Sequence, residues 1–553
     1  IASPVAILEV KFDFHTLDRL HDPCFVAIER PTAEDKIYLI YEVAALRPTH
    51  FQMLGMDVSM PTILRKEYLD TISSSWGDSE ETWIDAIAVA TQYRMNIEGG
   101  EPIFSKSKFV PLTGAKVHLL SRSAVKKFLC VEDGVDIGTL IGFNMPLTIN
   151  FESLVRYHSG IFGFTGAGKS NLTSYLIRRA VENVDDLRVV IFDVAGEYPI
   201  HLLDLLLGDG AVYSTEDFKN DAQNFLNAQA IPETLEETLS ERIVLNKVKE
   251  LFDGGRVHKL SLGLPPEAPK ITIGYILSFL QGASEGKGGI QAMLALRKVL
   301  GIVESGGIDT ETDVTQLDDG TKAALIEVLR ELAETIHSMS SLKLDAEMLI
   351  KAIREEPIES GEEEVVEADT PEKLAYKVLG PEASRINIVY TPDPSEARIA
   401  TSRFIERLLL LKKTTGARRK VLIVLDEAQE FIPDRTTRGD HSEESNRAVE
   451  SLLRQGRKYR AHCWLSTQRV AHLNVNALQQ LHSYFVSTLP RFYDRMVVAD
   501  AFSLSYDLLE RTTELDTGEW LFVSYKATKQ KNVPIFIKAP NNEDILVSML
   551  RRR

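Results

Sequence analysis

The stretch GIFGFTGAGKSNL, residues 160–172, decides the fold. Gly163, Gly168, Lys169 and Ser170 have the spacing G-x-x-x-x-G-K-[ST] of a phosphate-binding loop. Each residue type has a physical reason to be there. Glycines let the backbone turn tightly and bring several N–H groups onto phosphate oxygens. The helix that follows points its positive end at the same anion. Lys169 supplies a point charge for the β- and γ-phosphates, and Ser170 offers a hydroxyl to Mg²⁺. Gly166 adds freedom inside the loop, and Thr165, Ala167 and Asn171 complete the expected cradle. The expected ligands are ATP and Mg²⁺. The flanks agree: the apolar run SGIFGF leads in, and the amphipathic NLTSYLIRRAV leads out.

Outward from the loop, LRVVIFDVAGEY (187–198), KVLIVLDEAQEF (420–431) and AHCWLSTQ (461–468) contain continuous apolar runs, as buried parallel strands do. RINIVYTPD reads as a further strand and RIATSRFIERLLLLKK as a helix. Strands alternating with helices predict an α/β core with a parallel sheet over 151–200 and 381–553. Between 201 and 380, TLEETLSERIVLNKVKELF and TKAALIEVLRELAETIHSM space their apolar residues by three and four, which predicts a mainly helical insertion. Its end, EEPIESGEEEVVEADTPEK (355–373), has nine acidic residues and one Lys and reads as a solvated acidic loop. Residues 1–150 read as short strands: PVAILEVKF, CFVAIERP, KIYLIYEVAAL, DAIAVATQYRM, AKVHLLS and KFLCVE, with TISSSWGDSEET (71–82) as a polar loop. That pattern predicts a small β-barrel or sandwich.

The bulk numbers set limits. A chain of 553 residues suggests two to four domains. The net charge of −17 argues against a surface that clings to nucleic acid everywhere, and leaves room for a local basic channel. Cys24, Cys130 and Cys463 lie far apart with no CxxC pair, so a reducing cytoplasm is expected. No apolar run approaches the ~18 residues of a membrane helix. The start, IASPVAILEV, lacks the features of a signal peptide, and the numbering is expected to begin inside the gene product.

Two acids, Asp426 and Glu427, end the apolar run VLIVL. Such a pair either caps the next helix or serves the nucleotide, with Asp426 on the metal and Glu427 polarising the attacking water. The phosphate loop upstream favours the second reading. Asp193 and Glu197 form another acidic group after a buried strand; they touch metal or water, unless Asp193 only caps its turn. Gln468 ends the strand AHCWLST and is either a surface amide or a sensor of the γ-phosphate. In VESLLRQGRKYRAH (449–462), Val449, Leu452 and Leu453 share one helical face, and Arg454, Arg457 and Lys458 share another at three and four spacing. That basic face is either solvated or supplies an arginine that acts on a neighbouring subunit's γ-phosphate.

The ordered motifs IFGFTGAGKSN, VIFDVAGEY, VLIVLDEAQEF and LLRQGRKYRAHCWLSTQR resemble the HerA branch of the HerA/FtsK hexameric ATPases. The resemblance implies a RecA-like P-loop core, an N-terminal HAS-like barrel and a helical insertion. It implies a homohexameric ring that pulls double-stranded DNA through its centre, together with a NurA-like nuclease or another effector, in DNA-end processing or antiviral defence. It maps Lys169 and Ser170 onto phosphate and Mg²⁺, Asp426 and Glu427 onto metal and base, and Gln468 onto the sensor. Asp193 and Glu197 match the family's acidic motif; Arg454, then Arg457, matches the trans-acting arginine, with Arg156 a further candidate. Val470 stands where the family usually has Pro, and PDRTTRGDHSEESNR (433–447) is longer than expected, with Arg435 and Arg438 as candidate DNA contacts. Two other readings remain: a secretion or conjugation ATPase of the same superfamily, and an ATP-binding ring scaffold that activates a bound effector.

Overall fold

The computed structural model describes residues 5–21, 23–33, 35–51, 61–74, 82–262, 272–284, 289–310, 312, 314–335, 346, 349–350, 353–354, 369–381, 383–437 and 439–552. They fall into two compact units: Ile1–Leu262 with Asp369–Arg553, and Gly263–Ala368.

The larger unit carries two sheets. The first comprises β1 (Val5–Lys11), β2 (Phe25–Pro31), β3 (Lys36–His50), β4 (Thr82–Glu98), β5 (Glu101–Lys106) and β6 (Val117–Leu119), in the order β1-β4-β3-β2-β6, with β5 also on β4. Among the described residues the strands read as a small barrel or sandwich form one sheet with an open path. One face buries Val26, Ile28, Leu39, Tyr41 and Val43 together. Of KFLCVE, expected as a strand, the first three residues instead end the helix Arg122–Leu129 and Cys130 caps it. Ser121 caps that helix by accepting from Ala124 N at 3.3 Å. Val125, Phe128 and Leu129, at three and four spacing, are fully buried, so a helical period hid inside a β-rich composition. Of the polar segment 71–82, residues 71–74 end the helix Thr62–Ser74, and 75–81 lie outside the described residues.

The second sheet has twelve strands. In chain order these are β7 (Val135–Leu140), β8 (Met145–Ile149), β9 (Ser159–Phe162), β10 (Leu187–Asp193), β11 (Gly210–Ser214), β12 (Val257–Lys259), β13 (Ile386–Tyr390), β14 (Lys420–Leu425), β15 (Ala461–Thr467), β16 (Ser483–Val486), β17 (Glu519–Ser524) and β18 (Ile535–Lys538). Their spatial order is β12-β11-β13-β10-β14-β15-β9-β16-β17-β18-β7-β8. From β12 to β16 neighbours run parallel; from β16 to β8 they alternate antiparallel. The parallel strands β9, β14 and β15 are nearly wholly buried, as their unbroken apolar runs require.

Two expected boundaries shift. β7 and β8 extend the edge of the large sheet instead of belonging with the strands before them. The expected insertion 201–380 divides: β11 and β12 add two strands to the parallel sheet with the helices Ala222–Asn227, Glu233–Thr238 and Glu241–Asp253 between them, and 263–368 is the separate unit. That smaller unit contains the helices Ile273–Ser284, Gly289–Gly306 and Asp319–Thr335 around a core including Ile276, Leu280, Val299, Leu325 and Leu329.

Candidate functional site

In a parallel sheet, ligands gather outside the carboxyl ends of the strands. Here β14, β15 and β9 lie side by side, so the segments that follow them meet. After β9 comes the glycine loop, whose Gly166 and Gly168 have φ of +83° and +88°. A side chain would strain both turns, and Gly168 then opens the helix Lys169–Asn183.

Lys169 reaches across β15. Its Nζ lies 3.4 Å from Asp426 Oδ1 and donates to Glu427 Oε1 at 3.1 Å. Burial alone would lower the Lys169 pKa; Asp426, Glu427 and Glu197 outweigh it and hold the ammonium above its usual value. Glu427 has φ 47°, a left-handed conformation that costs a non-glycine residue about 1 kcal/mol or more. Gln429 holds it there, donating from Nε2 to Glu427 Oε2 at 2.9 Å, while Thr467 Oγ1 donates to Gln429 Oε1 at 2.5 Å.

The other loop residues also have partners. Ser170 Oγ donates to Glu197 Oε2, and Thr165 Oγ1 donates to Gln468 Oε1. Burial first, and Asp426 second, raise the Glu197 pKa. Thus Lys169, Ser170 and Thr165 each pair with an acid or amide expected to serve the metal, the water or the sensor. Asp426 is fastened by Tyr198 Oη, which donates to its Oδ1 at 3.2 Å. Asp426 Oδ2 is buried and has no hydrogen-bond partner. A carboxylate oxygen kept from water without a partner is costly, and a hydrated cation beside Ser170 would satisfy it. Among the described residues no three His, Cys, Asp or Glu side chains form a metal cage. Mg²⁺ bound with a nucleotide needs none, since phosphate oxygens and water fill most of its positions. Ser170 and Asp426 therefore fit Mg²⁺.

Asp193 takes a different place from the one expected. Its two oxygens accept from Gly196 N at 2.8 Å and Tyr198 N at 2.9 Å, so it shapes the turn that presents Glu197. Burial, then the nearby Asp426 carboxylate, push its pKa up to about 8. Neither basic candidate lines the cleft of its own chain. Arg454 is exposed and lies 3.4 Å from Glu450, and the Arg457 guanidinium rests 4.6 Å from the centroid of the Tyr157 ring. Arg156 and Arg435 are exposed, and Arg438 lies outside the described residues.

The cleft encloses about 600 Å³ and has walls that sequence motifs did not flag. One is the segment Ala230–Thr234, which leads into the helix Glu233–Thr238; another is the C-terminal stretch through Lys538, Asn541 and Glu543. Asn171 joins the second to the phosphate loop: its Nδ2 donates to Pro540 O at 3.2 Å, and its Oδ1 accepts from Asn542 N at 2.7 Å.

Fold and cleft together define a P-loop nucleoside triphosphatase of the α/β class. Residues 135–275 match the family "Helicase HerA, central domain". The chain is 22% identical over 491 residues to the DNA double-strand break repair helicase HerA of Pyrococcus furiosus, covering 86% of this chain and 79% of that one. It is 37% identical over 95 residues to the HerA helicase of Sulfolobus acidocaldarius, covering 17% of this chain and 18% of that one. The resemblance to HerA read from the motifs is thus borne out. Among solved structures, VirB4 of Thermoanaerobacter pseudethanolicus aligns at 15% identity and a TM-score of 0.38, covering 74% of this chain and 97% of that one. No helix among the described residues is long and apolar enough to cross a membrane.

Proposed function

We propose that the chain is an ATP-driven double-stranded DNA translocase that acts as a homohexameric ring with a NurA-like nuclease or another effector. The observation that carries this reading is the meeting of Lys169, Ser170, Glu427 and Gln468 in one cleft, with Asp426 buried 3.4 Å behind the Lys169 ammonium and carrying an unpartnered oxygen. The similarity to HerA helicases supports the DNA substrate.

In this reading ATP enters as substrate and its phosphates replace the internal partners of the loop. Lys169 leaves Asp426 and Glu427 for the β- and γ-phosphates, and Thr165 releases Gln468. Ser170 and Asp426 would hold Mg²⁺, which would supply neutralisation of the phosphate charge. Glu427, freed from Lys169, orients the attacking water and takes its proton. The water oxygen bonds to the γ-phosphorus as the β–γ bridging bond breaks, giving ADP and phosphate. A neighbouring copy supplies Arg454, with Arg457 the second candidate, to stabilise the transferring phosphoryl. Steady-state ATP hydrolysis with and without duplex DNA tests the motor. Strong stimulation by duplex, lost in Glu427→Gln, is expected. Turnover indifferent to DNA but dependent on a co-purified effector would overturn the motor in favour of the scaffold.

A further inference from the structure

The residues that converge on phosphate occupy one end of the cleft: Lys169 with Glu427, and Thr165 with Gln468. A nucleoside triphosphate held there must lay its sugar and base along the remaining walls. Those walls carry a specific set of groups.

His201 lines this part of the cleft and is only 6% exposed. Its Nδ1 is buried without a hydrogen-bond partner. Burial pushes its pKa down to about 4, so the ring is neutral and carries one donor and one acceptor. The Glu543 carboxylate is near enough to act on that ring. Glu543 Oε2 also accepts from Thr234 N at 3.3 Å, joining the C-terminal wall to the first turn of the helix Glu233–Thr238 and the Ala230–Pro232 segment before it. Ile231 and Pro232 bring apolar surface from that segment.

The C-terminal wall is held firmly. Asn542 is fully buried; its Nδ2 donates to His201 O at 3.1 Å, and its Oδ1 accepts from Arg178 Nε at 3.2 Å. Arg178 is in turn fixed by a bidentate pair with Asp204, at 2.7 and 3.0 Å. With the two bonds from Asn171, this network makes the wall a fixed extension of the phosphate cradle. A buried polar ring without a partner, a carboxylate and an apolar loop edge, rigidly placed past the phosphates, match a ribose and a base.

We propose that His201, Glu543 and the Ile231–Pro232 edge form the nucleoside half of the site. Ile231 and Pro232 take the face of the base, and Glu543 and His201 take the ribose hydroxyls. Asn171 and Asn542 are positioning residues. This assignment rests on the nucleotide reading of the cleft.

The test is Mg²⁺-dependent binding to the full chain of three probes: ATP, 2′,3′-dideoxy-ATP and tripolyphosphate. Losing hydrogen bonds to a charged group costs about 1.5–3 kcal/mol, so the wild type should bind ATP ~10-fold or more tightly than the dideoxy analogue. Glu543→Ala and the shape-conserving Glu543→Gln should both lose that preference, with tripolyphosphate affinity unchanged. His201→Ala should weaken ATP binding in the same direction. Equal binding of ATP and dideoxy-ATP by the wild type would overturn the assignment. So would wild-type ATP affinity in the Glu543 and His201 variants, or a loss of tripolyphosphate binding in Glu543→Gln. A wild-type protein that binds neither ATP nor tripolyphosphate would instead remove the nucleotide reading itself, and this assignment with it.

Discussion

The two ends of the parallel sheet carry opposite chemistry. At the carboxyl ends of β9, β10, β14 and β15, acids gather around one ammonium, and Lys169 is held charged by Asp426 and Glu427. At the amino ends of the same strands, cations gather around one aromatic ring. Arg457 and Lys526 lie 4.6 and 5.6 Å from the centroid of Tyr157, and Arg460 Nη1 donates to Arg418 O at 3.2 Å. The titrations mirror each other. Asp193 at the acidic end is pushed up to about 8 by burial and Asp426; Lys412 at the basic end is pushed down to about 8 by burial and Arg460. The carboxyl end sets Asp193, Glu197, Asp426 and Glu427 against one ammonium, whereas the amino end holds Arg457, Lys526 and Arg460 beside the Arg419–Asp186 and Lys420–Glu152 pairs. A ring that sets the basic end of one copy against the acidic cleft of the next would balance both.

The largest expected effect breaks the basic end. Arg454→Ala should lower kcat by about 10³–10⁵, the range of trans-acting arginines, with ATP affinity retained by calorimetry. Arg457→Ala showing the larger loss would move the role to that residue. Next, Glu427→Gln should lower kcat by roughly 10²–10⁴ while ATP still binds. Lys169→Ala should weaken ATP binding by about 100-fold or more, because a buried charge partner is worth ~3 kcal/mol or above. Tight ATP binding by that variant would remove the loop assignment.

The smallest effect is on stability. The folded state depresses the Lys412 pKa from 10.5 to about 8, so its favourable contribution is present above 10.5 and is lost as pH falls towards 8. Lys412→Met should therefore be more stable than wild type at pH 7, by about 1–3 kcal/mol less the bond its Nζ donates to Arg419 O. The advantage should shrink as pH rises from 8 to 10.5 in chemical denaturation. An advantage that is constant with pH would show that no depressed lysine is involved.

Much of the phosphate end was legible because it is local. Gly163–Ser170, Asp426–Glu427 and Gln468 each follow a buried strand, and neighbouring parallel strands bring their ends together. What sequence missed depends on distant pairing. β7 and β8 join the large sheet through β18, about 400 residues away in sequence, and β11 and β12 are short strands inside a helix-rich stretch. Asp193 looked like a site acid because its residue type suits either role; only the amides of Gly196 and Tyr198 assign it to the turn. The wall through Lys538, Asn541 and Glu543 carries no motif, and its one signal was Asn171, placed in the cradle without a known partner.

The central claim is that a neighbouring copy completes each cleft. The direct test mixes the double variant Arg454→Ala/Arg457→Ala with Glu427→Gln, each inactive alone. In mixed assemblies the arginines of one chain would meet the intact Glu427 of the other, and partial ATP hydrolysis should return. No recovery, with mixed assembly verified by differential tags, would contradict it.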